Sequence, residues 1–188
     1  MTRFRFVQAV CAAVLAVCGF GVLSLHTSAS AGQARITILD QCDPATFNAA
    51  LGPGACVPHA GDRTTFPAFL AEFQRDHAVD GWEFDPDELD VRAGQTVRLA
   101  NQGGEFHTFT RVAAFGGGVI GVLNGTQAPR PECGHIDAQG NPVFAPFGPG
   151  NMPMPAGSTA TLPVPATPKT QLYQCCIHPW MQAVLKTN

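Results

Sequence analysis

Apolar and polar residues alternate in short runs over most of this chain. Arg35–Leu39, Trp82–Phe84, Leu89–Val91, Thr96–Ala100, Thr108–Val112, Thr159–Val164, Gln171–Cys175 and Ala183–Lys186 are strand-length pieces of this kind. A period of two over so few residues predicts strands with one buried face. Asp85-Pro86 and Ala93-Gly94 supply turns between them. Two stretches have a helical period instead. Asp43 and Pro44 form an N-cap and first position for a helix to about Leu51, which Pro53-Gly54 ends. Phe66, Phe69, Leu70 and Phe73 then recur on one helical face, starting at Thr65 or Phe66 with Pro67, and this stripe is expected to pack against the sheet. The pattern predicts an all-β sandwich preceded by a partly helical extension. Gly116–Gly157, which opens on three adjacent glycines and is rich in Pro, is expected to be a long surface excursion. Within it, Met152-Pro153-Met154 is expected to be a Pro-broken loop leading into the Thr159 strand. The organisation expected is therefore a leader over 1–31, an extension over 32–80 and a β domain over 81–188 with the 116–157 insertion.

The leader changes how charge and cysteine are counted. Arg3 and Arg5 precede a nearly unbroken apolar run from Phe6 to Leu25, and Ala29-Ser30-Ala31 offers a small-x-small cleavage site before Gly32. Retention as a membrane anchor and lipidation at Cys18 are the alternatives. Cleavage would leave 9 basic residues of the original 11 against 14 acids, a charge of about −5. With no basic block, nucleic acid is excluded as an expected partner. Cys11 and Cys18 leave with the leader, so five of the 7 cysteines remain. An odd number in an exported protein asks for one special thiol and two disulfides. Of three pairings, Cys42–Cys56 with Cys133–Cys176 is favoured, because the first closes a short Pro- and Gly-rich loop.

Candidate chemistry sits near the C-terminus, in Tyr173-Gln-Cys-Cys-Ile-His-Pro-Trp-Met181. Cys175, His178 and Met181 stand at C-x-x-H-x-x-M spacing. A thiolate, an imidazole and a thioether lack one imidazole to complete a His2Cys site with a weak axial Met, a donor set suited to copper in both oxidation states. His107 is the candidate for the missing imidazole. Strand alternation puts Cys175 and Cys176 on opposite faces, so only one faces the ion, and Cys175 has the better spacing to His178. Pro179 stiffens the turn after His178. Zinc is the competing metal, but closed zinc sites rarely use Met. His59, His77 and His135 have no partner at ligand spacing and are read as ordinary polar residues.

Asn101-Gln-Gly-Gly-Glu-Phe-His107-Thr-Phe, together with the C-terminal loop, resembles the cupredoxin family, with loop spacing nearest amicyanin. The resemblance covers roughly Trp82 to Thr187. It implies a Greek-key sandwich of eight strands, a single type 1 copper held by His107, Cys175, His178 and Met181, and an Asn101 that ties the two ligand loops together. The reading that follows is an exported, monomeric carrier of single electrons that meets redox proteins transiently. His178 is expected to present its ring edge near the surface, with Trp180, Pro179 and Phe147 as a docking patch. A copper carrier delivering metal to an oxidase would use the same ligands. A catalytic copper domain is disfavoured because no His-x-His pair is present.

Overall fold

The computed structural model describes residues 33–61 and 63–188; the leader expected over 1–31 lies outside them. Strand β1 (Arg35–Leu39) buries Ile36 and Ile38 and turns Arg35 outward, as its alternation requires. Helix α1 (Pro44–Leu51) starts where Asp43 accepts the backbone N–H of Thr46, and helix α2 (Phe66–Asp76) starts where Thr65 accepts that of Ala68. Pro sits in the first turn of both, where its missing N–H costs no helical bond. The chain then runs through β2 (Glu83–Asp85), β3 (Glu88–Val91), β4 (Thr96–Asn101) and β5 (His107–Val112). Beyond lie β6 (Gly134–Ile136), β7 (Pro142–Phe144), β8 (Asn151–Met154), β9 (Thr159–Pro163), β10 (Thr170–Gln174) and β11 (Gln182–Thr187).

Two sheets face each other, ordered β2-β1-β4-β9 and β3-β11-β10-β5-β8, with β6-β7 as a separate hairpin. The pairs β1–β4 and β3–β11 are parallel and the others antiparallel. Ile36, Ile38, Val97, Leu99 and Leu162 of the first sheet meet Phe109, Tyr173, Ala183 and Leu185 of the second in one core. Phe109 stacks on Tyr173 with ring centroids 4.5 Å apart. No helix among the described residues is long and apolar enough to cross a membrane.

Three expectations need correction. The boundary placed at Gly81 divides a sheet, because β1 lies between β2 and β4 and so the sandwich takes in the start of the supposed extension. The two sheets hold nine strands rather than eight, the addition being β8. Met152-Pro153-Met154 is part of that strand, not a loop: β8 pairs with β5 alone at the sheet edge, where a proline's missing donor leaves no ladder bond unmade.

The insertion is less of a surface excursion than its composition suggests. Gly116–Gly118 are buried. Gln174 brackets Gly116 with two hydrogen bonds, at 3.0 and 3.1 Å, and Val119 N–H donates to the Cys176 carbonyl at 2.7 Å. A Cβ at Gly118 would stand 2.1 Å from that same carbonyl oxygen, so only glycine allows this approach. The disulfide Cys133–Cys176 pins the middle of the insertion to the same place. The second disulfide joins Cys42 to Cys56, so both favoured pairings are present and Cys175 is free.

Candidate metal centre

Cys175 follows the last residue of β10, and Met181 precedes the first of β11. The turn between them is closed by backbone bonds from Cys175 N–H to the Met181 carbonyl and from Met181 N–H to the His178 carbonyl, both 2.9 Å. Ile177 and His178 N–H groups point at the Cys175 sulfur, at 3.4 and 3.5 Å. Opposite, His107 opens β5. Thr108 next to it accepts the Cys176 N–H at 2.8 Å and so binds the two ligand segments together.

The three donors converge. His107 Nδ1 lies 3.7 Å from Cys175 Sγ and 3.4 Å from His178 Nδ1. All three ligand atoms fall within 4.8 Å of one another and all three residues are buried. Met181 is buried in the core, and its carbonyl accepts the Cys175 N–H that closes the turn. Burial alone would raise the Cys175 thiol, but hydrogen bonds and charge from His107 and His178 hold it well below the usual thiol range. Burial likewise disfavours a charged His107, yet Asp40 and Cys175 outweigh it and raise that imidazole to about 10. Two borderline imidazole nitrogens and a thiolate around one point, with a methionine in the same turn, fit a copper ion.

Buried carboxylates stand behind both imidazoles, and sequence reasoning missed them. Asp40 accepts His107 Nε2–H at 2.9 Å, Gly104 N–H and Glu105 N–H at 3.0 Å, and Cys42 N–H at 3.2 Å. Burial pushes the Asp40 carboxyl up, but its bonds to His107 and the backbone leave it well below the ordinary carboxylate range. Glu105 Oε2 accepts the Trp82 indole N–H at 2.6 Å and stands 3.7 Å from His178 Nε2. Here burial dominates and raises the carboxyl despite both histidines and the indole. A signal for Asp40 was available: the inward alternation of Ile36 and Ile38 continues to it, and a buried acid demands partners.

Other expected residues change role. Asn101 does not bridge the ligand loops. Its amide donates to the Glu105 and Met154 carbonyls, both at 2.9 Å, and accepts Gly103 N–H, so it shapes the loop before His107 and ties it to β8. The His178 ring is not at the surface, since the residue is 3% exposed. Phe69 and Trp180 cover it, with centroids 6.2 and 5.3 Å from the imidazole. The α2 stripe thus packs at the end of the sandwich that carries His178, against Phe47, Trp82 and Trp180, rather than on the sheet face. Trp180 is half-buried by this packing and Pro179 is buried, so neither offers an open patch. Phe147 is 47% exposed, and its aromatic neighbours are Phe106 and Phe144. Of the remaining histidines, His59 has its Nε2 3.8 Å from Asp40.

No family model matches the chain, and no curated protein matches it. Solved structures with a similar course include a purple cupredoxin from Nitrosopumilus maritimus, at 14% identity and a TM-score of 0.39, over 83% of this chain and 100% of that one. An oxidised amicyanin mutant is similar at 14% identity and a TM-score of 0.38, over 86% and 88% of the two chains. Auracyanin A from Chloroflexus aurantiacus is similar at 27% identity and a TM-score of 0.33, over 56% and 89%. At these scores it is the donor set of this chain, not the likeness, that points to a metal.

Proposed function

We propose that this protein is an exported type 1 copper protein that carries single electrons between redox partners. The convergence of His107 Nδ1, His178 Nδ1 and Cys175 Sγ in a buried pocket carries this reading. His107, Cys175 and His178 would hold the ion, with Met181 as the weak axial donor. Bound copper supplies a one-electron couple at accessible potential. The chain's own part is to keep that couple from rearranging. The ligand loop is braced by its two backbone bonds, by Thr108 and by the Cys133–Cys176 disulfide, so the donors stay in place whichever charge the ion has. N–H groups directed at the Cys175 sulfur and the carboxylates behind the imidazoles tune its electronics.

Complete burial of the ligands favours electron transfer over delivery of copper to an acceptor, since handover requires a donor open to exchange. Transient docking is assigned to Phe106 and Phe147, exposed by 36% and 47%, because Phe106 is bonded in sequence to the ligand His107. The mature chain is taken to act as a monomer. Adding copper to the purified protein and recording its visible spectrum tests the reading. An intense thiolate-to-copper band is expected, one equivalent of metal saturating it, and Cys175→Ser should abolish the band while leaving the far-ultraviolet dichroism unchanged. A colourless, metal-free protein defeats the proposal.

A further inference from the structure

We propose that Asp40 is a positioning residue for the metal-binding imidazole of His107, and that its fixed charge biases the centre toward its oxidised state. The inference rests on the copper reading above. Asp40 lies outside both ligand loops, immediately after β1, and its side chain is fully buried. One of its oxygens takes the N–H groups of Cys42 and Gly104. The other takes Glu105 N–H and His107 Nε2–H. All four partners are donors and none is an acceptor, an arrangement that only an acceptor-only carboxylate satisfies.

Two consequences follow from that geometry. A proton held on His107 Nε2 leaves the Nδ1 lone pair facing Cys175 and His178, so Asp40 selects the tautomer that can bind metal. It also places a permanent negative charge behind a ligand ring in a buried site. With the Cys175 thiolate it stabilises a doubly charged cupric ion more than a singly charged cuprous one, around which more of the buried negative charge is left uncompensated. Buried unpaired charge is costly, so the reduced state is disfavoured. Glu105 is not given this part: it stands 3.7 Å from His178 Nε2, beyond a hydrogen bond, and its near oxygen is occupied by the Trp82 indole.

The test compares copper-loaded full-length protein with two variants in a redox titration followed by visible absorption. Asp40→Asn keeps the size of the side chain and removes its charge. It is expected to shift the one-electron equilibrium at least tenfold toward the reduced form, about 59 mV. Asn48→Ala is the control. Asn48 clasps Cys56 at 2.8 and 3.0 Å, so its loss loosens the neighbouring loop closed by Cys42–Cys56 without touching the carboxylate, and the midpoint should stay at the wild-type value. A third readout needs no variant. In the cuprous wild type, nitrogen-detected imidazole spectra should show His107 protonated at Nε2 and bare at Nδ1.

A folded, copper-loaded Asp40→Asn with an unchanged midpoint overturns the inference, as does an equal shift in Asn48→Ala. So does an unprotonated His107 Nε2, which decides the matter even if Asp40→Asn does not fold. A wild type that takes up no copper is a different failure: it removes the copper reading itself.

Discussion

Gly103 shows how tightly the pocket behind His107 is built. A Cβ there would lie 1.8 Å from Asp40 Oδ2 and 2.8 Å from the Asp40 backbone nitrogen. The loop that leads into His107 therefore approaches β1 as closely as a backbone can, and the bonds from Gly104 and Glu105 to Asp40 depend on that approach. Gly103→Ala forces the carboxylate or the loop to move. Overpacking of this kind costs about 1–3 kcal/mol, and urea unfolding of the metal-free protein should show a loss in that range. Copper titration should show weaker binding too, because the displaced carboxylate no longer fixes the His107 ring. The bond between Asp40 and His107 marks the limit of local reading. Asn101 and His107 stand out in the sequence because they are six apart, whereas Asp40 is 67 positions from His107 and no spacing rule reaches it.

Among the elements, α2 is the one whose purpose the chain order conceals. Its stripe of Phe66, Phe69 and Phe73 is legible as a helix face, since the 3.6 period is a local property. What the face covers is not local. Phe69, 3% exposed, touches Phe47, Trp82, Trp180 and His178, so the helix is a roof over the ligand loop. Phe69→Ala opens a cavity there and should cost about 3–5 kcal/mol of unfolding free energy. It should also speed removal of copper by a chelator, measured as decay of the visible band. If the chelator rate is unchanged, α2 does not guard the site. Strand β8 illustrates the opposite error. Pro153 argued for a loop, but the residue sits on an edge strand, where the proline rule does not apply.

For the whole molecule, two disulfides cross-link segments near the centre that hydrogen bonds also hold. Cys133–Cys176 spans 43 residues and Cys42–Cys56 spans 14. On chain-entropy grounds, removing the longer cross-link costs about 4 kcal/mol and the shorter about 3 kcal/mol. Paired replacement of Cys133 and Cys176 by alanine should lower the urea midpoint more than replacement of Cys42 and Cys56. Only the first should also broaden the visible band, because Cys176 adjoins the ligand Cys175 in the chain. Equal effects on the band would mean that the insertion does not brace the ligand loop.

The sequence by itself determined whatever depends on neighbours in the chain. The strands follow from a period of two, and the two helices from their caps and prolines. The candidate triplet Cys175, His178 and Met181 lies within a single turn between strands, and an odd count of cysteines after the leader asked for one special thiol. Only the tertiary structure decided what faces this triplet from afar: Asp40 behind His107, Glu105 and Trp82 behind His178, and the aromatic roof that buries the imidazole. Those contacts cross between sheets and segments far apart in the chain. Their partners are selected by which inward-facing side chains the packed core brings together, and periodicity along one strand or helix carries no record of that meeting.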